Sequence, residues 1–338
     1  MGPRGVSGAF MHHRLDEAAP AAMRGGVVAL GNFDGVHRGH QRVLDAARNE
    51  AAKRDVPAIV LSFEPHPRTL FKPDSPVFRL TPEPVKARVL EAYGLDALAV
   101  LAFDRDVAGT PAQAFVDDLV LARMGAAHVV TGFNFMFGKG REGDAAFLRD
   151  AGERGGFGVT IVEPFEIKGP SVAGDATVSS SRIRRLLGAG DVAGAARLLG
   201  YRWLVAGTVT KGRQVGRTIG YPTANLALAP ECRLAHGIYA VRLRRADGTL
   251  HDGVASYGRR PTFDDGAPLL ETFVFDFADD LYGERVEITL FERLRGEEKF
   301  DTVEALVEQM DRDSESARAV LADAIELSDL DRRLAFAR

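Results

Sequence analysis

Short apolar runs alternate with helical patterns through the first half of the chain. Each run has the length and residue types of a buried strand, and the segments between them carry apolar residues at helical spacing. The runs are Val27–Leu30, Ala58–Phe63, Ala97–Leu101, His128–Thr131 and Val159–Val162, and the helical segments include Pro84–Tyr93 and Pro111–Met124. This alternation is typical of a parallel sheet covered by helices, which binds ligands at the carboxyl ends of its strands.

The pattern changes after a helical stretch around Arg182–Leu199. Short strands then follow one another, separated by turn signals such as Ala246–Gly248, which indicates a closed antiparallel barrel. The predicted strands are Trp203–Val209, Gly237–Leu243, Gly253–Ser256, Thr272–Phe277 and Arg285–Phe291, and Thr302–Leu327 has the pattern of one or two amphipathic helices.

We therefore predict an α/β + β fold in four parts. Residues 1–24 form a loose N-terminus and residues 25–187 an α/β domain with a parallel sheet. Residues 188–200 are a helical linker, and residues 201–338 form an antiparallel β-barrel domain with a C-terminal helix.

Composition narrows the class of protein. The 338 residues are 46% hydrophobic and 27% charged, as in ordinary soluble proteins, and the net charge of -4 suggests no general attraction to nucleic acid or membranes. The single cysteine, Cys232, excludes an internal disulfide and fits a reducing compartment. No apolar run approaches the length of a membrane span. We expect a cytoplasmic protein with no nucleic-acid or membrane partner, and leave a homo-oligomer open.

The most informative segment is Gly31–His40, with the sequence Gly-Asn-Phe-Asp-Gly-Val-His-Arg-Gly-His. It joins the first predicted strand to a helical pattern that starts near Gln41, and such a turn offers free backbone amides to an anion. His37 and His40 are spaced to point from one side of the helix start, where imidazoles can donate to phosphate. The pattern favours nucleotidyl transfer. The alternative is a surface loop with incidental histidines.

Gly138–Gly143 matches the dinucleotide fingerprint G-x-G-x-x-G, with Glu163 about twenty residues later. A nicotinamide or flavin dehydrogenase therefore has to be considered. However, Phe133–Phe137 separates the preceding strand from the first glycine, whereas the fingerprint requires the glycines to follow the strand directly. The alternating phenylalanines could instead wall a flat ring while Asn134 contacts its polar edge. Core packing is the alternative.

Two further segments combine hydroxyl groups with features of phosphate sites. In Val178–Arg184, serines precede a helix and arginines lie on its first turn, where they oppose the dipole unless an anion sits between them. Gly216–Asn225 forms a predicted loop after the first barrel strand, and Thr223 and Asn225 offer oxygen ligands to magnesium. A plain helix cap and an ordinary turn are the respective alternatives. Glu271 opens a predicted strand and alone would be a solvated side chain.

Together these segments resemble the bacterial bifunctional riboflavin kinase and FMN adenylyltransferase family, also called prokaryotic FAD synthetase. The resemblance runs from about Val27 to Leu327 with the motifs in order. It includes Phe63–Pro67, Gly138–Asp144, Asp280–Gly283 and Leu294–Phe300. The resemblance implies a Rossmann-like nucleotidyltransferase domain that adenylylates FMN and a barrel domain that phosphorylates riboflavin.

The resemblance also implies roles for individual residues. In the first domain, ATP and its phosphates would be contacted by Gly31, Phe33, His37, Gly39, His40, Ser180, Ser181 and Arg184, and the flavin by Asn134 and Phe135, with His37 and His40 catalytic. In the barrel, ATP would be held by Gly220, Thr223 and Asn225, magnesium by Thr223 and Asn225, and the flavin by Arg260, with Glu271 as the general base.

Two positions depart from the family pattern. Ser256-Tyr257-Gly258 stands where the family commonly has Asn-Ile-Gly, and Tyr221 replaces a common phenylalanine. We expect both changes to alter flavin affinity without abolishing kinase activity.

The expected function is conversion of riboflavin to FMN and of FMN to FAD, with ATP as co-substrate, magnesium as cofactor and small-molecule substrates throughout. Three alternatives remain at this point. They are a single-activity FMN adenylyltransferase with a flavin-sensing barrel, an oxidoreductase that uses Gly138–Gly143, and a flavin-binding regulator without turnover.

Overall fold

The structure is a computed structural model that describes residues 9–165, 177–211, 220–259 and 268–337. The chain divides into two compact units, Met1–Val77 with Lys86–Ser179, and Phe78–Val85 with Ser180–Arg338. Among the described residues, each unit contains one six-stranded sheet. Within the described ranges, no helix is long and apolar enough to cross a membrane.

All strand pairs in the first unit are parallel. The strands are β1 (Met11–Arg14), β2 (Val27–Leu30), β3 (Ala58–Glu64), β4 (Ala97–Ala102), β5 (His128–Gly132) and β6 (Gly158–Val162), in the order β1-β4-β3-β2-β5-β6. The five strands predicted from apolar runs are confirmed to within one residue at each end. Their central members are buried along almost their whole length, which is why they lack the alternation of a half-exposed strand.

Helices separate these strands. They are α1 (Arg38–Arg54), α2 (Pro67–Phe71), α3 (Glu83–Tyr93), α4 (Arg105–Gly109), α5 (Ala112–Ala114), which continues as a π-helix over Phe115–Arg123, and α6 (Ala145–Gly155). Helix α1 buries Val43, Leu44, Ala47 and Ala51 against β2, β3, β5 and β6. Their spacing forms one helical face, so the amphipathic pattern places α1 on the sheet.

The first strand differs from the loose N-terminus expected for residues 1–24. Residues 11–14 pair with β4 at the edge of the sheet, and Leu15 and Met23 are fully buried in the core behind them. An edge strand buries only part of its surface, so β1 can carry two histidines and an arginine. Because of this polarity, β1 lacks the apolar run that predicts the other strands of the sheet.

The strand order reverses between β2 and β5. The chain leaves β2 toward β3 on one side, whereas β5 and β6 continue on the other side. In open parallel sheets such a switch point leaves a crevice at the carboxyl ends of the two strands. The residues that follow β2 and β5 therefore border the same crevice.

The second unit is an antiparallel sheet that nearly closes into a barrel. Its strands are β7 (Leu204–Thr208), β8 (Thr223–Ala227), β9 (Gly237–Arg244), β10 (Leu250–Arg259), β11 (Pro268–Val274) and β12 (Arg285–Arg295), in the order β7-β12-β9-β10-β11-β8. An isolated bridge between Thr210 and Asn225 links the end of β7 to β8. The predicted barrel is thereby confirmed.

Helices complete this unit. They are α7 (Ser180–Ala189), α8 (Val192–Leu199), α9 (Val303–Ala322) and α10 (Asp329–Asp331), which continues as a π-helix over Arg332–Phe336. Helix α9 packs against β9, β10 and β12, and it is the C-terminal helix expected from the sequence.

A segment from the first half of the sequence packs with the second unit. The indole N–H of Trp203 donates to the carbonyl oxygen of Leu80 at 2.8 Å, and the Phe78 ring meets the indole edge-on at 5.8 Å. Arg184 donates to the carbonyl oxygen of Phe78 at 2.6 Å. The domain bounds at 187 and 201 stay predictions, because compact units reflect packing and not independent folding.

The C-terminal segment is held by a buried ion pair. Asp331 is fully buried and accepts hydrogen bonds from the guanidinium and backbone N–H of Arg202 and from the backbone N–H of Leu327. The Arg202 guanidinium also lies over the rings of Phe291 and Phe336. Removing the carboxylate would leave Arg202 buried without its counter-charge.

We expect Asp331→Ala to lower the free energy of unfolding of the second unit by about 3–5 kcal/mol, the usual cost of breaking a buried pair. The matched control is Asp329→Ala on the same helix, whose side chain is 84% exposed and pairs with Arg332, and which should cost less than about 1 kcal/mol. Urea unfolding followed by fluorescence of Trp203, the only tryptophan, measures both values. Equal losses in the two variants would contradict the anchoring role.

Candidate active sites

The turn between β2 and α1 has an unusual backbone. Phe33 and Val36 have φ values of 47° and 39°, in the left-handed region, and both side chains are almost fully buried. This conformation is unfavourable for a β-branched residue and persists only where the surrounding packing requires it. The turn is therefore held in shape by its buried side chains, a feature that often accompanies functional sites.

The two histidines of this turn are in direct contact. Their rings stack with centroids 3.6 Å apart and planes 11° from parallel. His37 is the N-cap of α1, and its Nδ1 accepts from the backbone N–H of His40 at 3.2 Å. Because Nδ1 accepts, a neutral His37 carries its proton on Nε2. The structure thus brings together the pair predicted from the sequence.

Gly31 and Gly39 allow this ring packing. A Cβ atom on Gly31 would lie 3.2 Å from the Phe33 ring, and one on Gly39 would lie 3.2 Å from the His37 ring. Phe33 in turn meets His40 edge-on at 5.3 Å. Both glycines therefore have a packing role in addition to the phosphate contact predicted for them.

The surroundings of His40 disfavour its charged form. Burial lowers its pKa well below the usual 6.5, and repulsion from His37 when that ring is protonated and from the Lys86 ammonium lowers it further. The Nδ1 atom of His40 is buried and has no hydrogen-bond partner among the residues described. At neutral pH His40 is accordingly a neutral imidazole with unused hydrogen-bonding capacity.

Lys86 is a residue of this site that sequence analysis missed. Its side chain is only 1% exposed, and its ammonium donates to Ser62 Oγ at 2.7 Å and pairs with Glu64 Oε1 at 3.4 Å. The available signal was its spacing, because Lys86 shares a face of α3 with the buried Val89 and Leu90. A lysine at a core position of an amphipathic helix indicates a paired buried charge.

The phenylalanines after β5 do not form one wall. Phe137 is buried against Phe115, Phe135 stacks on Phe137 at 5.8 Å, and Phe133 is 47% exposed. Core packing therefore accounts for Phe137, and in part for Phe135, which is partly buried against the same core. Asn134 is exposed and lies in the loop beside the switch point, so it remains a candidate for ligand contact.

Gly138–Gly143 does not form a dinucleotide turn. Five residues separate Gly138 from the end of β5, and the loop instead pairs with the segment before α5, where Lys139 N–H donates to Thr110 O at 2.8 Å. Helix α6 begins after Gly143, but the Asp144 carboxylate caps its N-terminus. A carboxylate there opposes binding of a pyrophosphate, so the oxidoreductase alternative loses its structural basis.

The residues predicted to bind the triphosphate belong to the second unit. Ser180, Ser181 and Arg184 lie on the first turn of α7, with Ser181 exposed and Arg184 half-buried. The Nε of Arg184 donates to the carbonyl oxygen of Phe78. His37 and His40 lie in the first unit, so the two groups of residues predicted to contact ATP belong to different units.

In the barrel, strand pairing brings the predicted kinase residues together. Glu271 lies directly opposite Asn225 on β8 and Ser256 on β10, and Phe273 lies opposite Thr223. Directly opposite residues of antiparallel strands project from the same face. Sequence analysis placed Asn225 in a loop and Glu271 at a strand start, and both lie inside paired strands instead.

Asn225 has the features of a ligand-binding residue. It is 3% exposed, its Nδ2 donates to Thr223 O at 3.2 Å, and its Oδ1 is buried with no hydrogen-bond partner in the described part of the chain. A pocket of about 120 Å³ is lined by Thr223, Asn225, Asp280 and Tyr282, among others. Oxygen atoms of this kind suit Mg²⁺, which keeps few protein ligands and shares substrate phosphates. The residues present therefore fit the ion.

Two neighbours of this pocket carry further information. Gly220 is exposed with a φ of 89°, which a glycine adopts without strain. The Tyr221 ring packs on Phe273 at 4.6 Å, and its hydroxyl donates to Asp311 on α9. Burial and this contact raise the pKa of Tyr221 to about 12. The Tyr221 hydroxyl therefore connects the segment before β8 to α9. The predicted flavin contact Arg260 and the loop residues 216–219 lie outside the described residues.

Family models match both halves of the chain. Residues 19–176 match the model described as FAD synthetase, and residues 199–321 match the model described as riboflavin kinase.

Full-length relatives carry both activities in their names. The bifunctional riboflavin kinase/FMN adenylyltransferase of Escherichia coli strain K12 is 37% identical over 306 residues, which cover 90% of this chain and 95% of that protein. The proteins of the same name from Pseudomonas fluorescens and Bacillus subtilis strain 168 are 38% and 34% identical, over 88% and 90% of this chain and 94% of each relative.

A solved structure described as a macrolide-efflux protein from Streptococcus pneumoniae is similar in fold. It is 32% identical with a TM-score of 0.78, and the match covers 91% of this chain and 99% of that one. The two family models match in this order, and the relatives are covered over nearly their full length. The chain belongs to the bifunctional riboflavin kinase/FMN adenylyltransferase family.

Proposed function

We propose that the two activities of this enzyme use the two sites described above. The enzyme phosphorylates riboflavin to FMN and adenylylates FMN to FAD. In this proposal the turn after β2 serves adenylyl transfer, and the strands β8 and β11 serve phosphoryl transfer. We also propose that the enzyme is cytoplasmic and has no nucleic-acid partner, because the chain has a single cysteine and a net charge of -4.

Adenylyl transfer requires charge stabilisation but no strong base. A phosphate oxygen of FMN attacks the α-phosphorus of ATP, the new P–O bond forms, and the bond to pyrophosphate breaks. The attacking oxygen is already anionic at neutral pH, so the site must position it and stabilise the charge that develops. The observation that carries this assignment is the stacked pair of His37 and buried, neutral His40 at the N-terminus of α1.

Other residues complete the adenylyl-transfer site in this proposal. Gly31, Phe33 and Gly39 shape the turn, and Asn134, across the switch point, contacts the flavin or nucleotide. Phe135 supports that loop by stacking on Phe137. In this proposal Ser180, Ser181 and Arg184 bind the triphosphate, because hydroxyl and guanidinium groups at the start of a helix are suited to phosphate oxygens.

Phosphoryl transfer needs a base because its nucleophile is neutral. The ribityl hydroxyl of riboflavin loses its proton to the Glu271 carboxylate as its oxygen attacks the γ-phosphorus, and ADP leaves. Thr223 and Asn225 hold Mg²⁺, which when bound neutralises charge on the ATP phosphates. Gly220 lets the backbone approach ATP, and Arg260 contacts the flavin.

The direct test is to incubate the purified protein with riboflavin, ATP and Mg²⁺ and to resolve riboflavin, FMN and FAD by chromatography. We expect FMN to appear first and FAD to follow. FAD formed only from supplied FMN would favour the single-activity alternative, and the absence of both products would overturn the proposal.

Variants should separate the two steps. We expect replacement of both His37 and His40 by Asn to stop the reaction at FMN, because charge stabilisation at the α-phosphate is lost. We expect Glu271→Gln to lower FMN formation by about 100-fold or more, since general-base catalysis contributes about 10²–10⁴-fold. The Glu271 variant should still convert supplied FMN to FAD. Because each variant keeps the step that the other loses, each is the folding control for the other.

The neutral state of His40 can be measured directly. Its Cε1–H resonance, assigned by its absence in His40→Gln, should titrate with a midpoint well below 6.5. His37→Gln should raise that midpoint, because one of the charges that lower it is gone. Since the unfolded histidine binds protons at higher pH than the folded one, His40 should also make the first unit less stable as the pH falls below about 6.5. A wild-type midpoint at or above 6.5 would contradict this assignment.

The metal assignment predicts an effect confined to one step. We expect Asn225→Ala to raise the Mg²⁺ concentration for half-maximal FMN formation by about tenfold, because one hydrogen bond or ligand to a charged group contributes about 1.5–3 kcal/mol. The Mg²⁺ dependence of FAD formation from FMN should not change. The matched control is Asn134→Ala in the other unit, which should leave the Mg²⁺ dependence of FMN formation at the wild-type value.

A further inference from the structure

Lys86 carries a buried charge that apolar packing does not require. Its side chain is 1% exposed on the apolar face of α3, and its ammonium contacts Ser62 and Glu64. Burying an ion pair costs desolvation energy, and an apolar residue at such a position is often as stable or more so. A buried ammonium at this position is instead suited to orienting the polar groups around it.

The ammonium sets the direction of the Ser62 hydroxyl. A lysine ammonium can only donate, so Ser62 Oγ accepts from Lys86 at 2.7 Å. The one proton of the hydroxyl is then directed to the carbonyl oxygen of Asn32, 3.1 Å away. Ser62 is fully buried near the end of β3, which pairs with β2, so the contact reaches the first residues of the turn.

The Asn32 carbonyl is the start of the strained turn. The next residue, Phe33, has its left-handed φ of 47°, and its ring meets the edge of His40. A continuous set of contacts therefore runs from Lys86 through Ser62 and Asn32 to Phe33 and His40. The positive charge of Lys86 also contributes, after burial and His37, to lowering the pKa of His40.

We propose that Lys86 is a positioning residue for FMN adenylylation, whose ammonium fixes the turn that presents His37 and His40 by orienting the Ser62 hydroxyl toward Asn32. Lys86 contacts neither substrate in this role. The inference rests on the function proposed for the two histidines.

The first test is Lys86→Met, which keeps the length of the side chain and removes the ammonium. We expect kcat for FAD formation from FMN to fall about 10- to 100-fold, because small misplacements of catalytic groups cost up to about 100-fold. The KM for FMN should change by less than about threefold, since the effect lies in the transition state. Riboflavin phosphorylation by the same preparation should be unchanged.

Lys53→Met is the matched control for charge. It removes a lysine from α1 in the same unit, but that side chain is 72% exposed and pairs only at the surface with Glu50. We expect wild-type kcat and KM for both steps. A loss equal to that of Lys86→Met would mean that net charge, and not the Ser62 contact, matters.

A second pair of variants tests the relay without removing a charge. Ser62→Ala leaves Lys86 beside Glu64 but breaks the bond to Asn32, and we expect kcat for FAD formation to fall about threefold to tenfold, the value of one hydrogen bond. Thr131→Val is its matched control, because the buried Thr131 hydroxyl makes a similar bond, at 3.0 Å, to the Leu30 carbonyl of β2. We expect that variant to keep the wild-type kcat.

The outcomes separate this inference from the proposed function. Wild-type kcat in Ser62→Ala would overturn the positioning role even if Lys86→Met fails to fold. A kcat loss in Lys86→Met that disappears when rates are normalised to folded protein would also overturn it. Retention of FAD formation in the double histidine variant would instead overturn the function proposed for the turn.

Discussion

The stacking of His37 on His40 constrains the whole turn between β2 and α1. Two imidazole rings 3.6 Å apart at a helix start require the His37 side chain to fold back as the N-cap. They also favour glycine at position 39, since a Cβ there would lie 3.2 Å from the His37 ring and displace it slightly. The left-handed residues Phe33 and Val36 then connect this arrangement to the end of β2. The helix start, the close approach at Gly39 and the left-handed residues of the turn thus all lie around this one contact.

The site in the barrel depends on a different constraint, the register of antiparallel strands. The pairing of β11 with β8 and β10 places Glu271 opposite Asn225 and Ser256. A shift of one residue would turn Glu271 to the other face of the sheet and separate it from Asn225. The hydrogen bonds of the ladder therefore fix the positions of the proposed general base and the proposed metal ligand more firmly than a loop would.

Apolar character along a strand decides which elements can be predicted from this sequence. Strands β2 to β6 were predicted because strands of parallel sheets are apolar along their length, and the histidine pair because the turn lies between a strand and a helix. Strand β1 was missed because an edge strand tolerates polar residues such as His12 and Arg14. Strand β8 was missed because its Thr223 and Asn225, together with the glycine and proline before it, are residues typical of loops. Lys86 was missed because its proposed role depends on Ser62, 24 positions earlier, and no spacing within α3 reveals that partner.

The protonation states of the two nucleophiles explain why the enzyme needs two unlike sites. A phosphate that is already ionised gains nothing from a base, so its site can bury neutral imidazoles where donors act in a low dielectric. In that setting a charged His40 would be unfavourable, and the burial that lowers its pKa keeps it a neutral donor. A ribityl hydroxyl must lose its proton, so its site needs a carboxylate that can take that proton. In the proposed function that carboxylate is Glu271, which is half-buried. The two nucleophiles thus place different demands on their surroundings, and the residues proposed for one step would not serve the other.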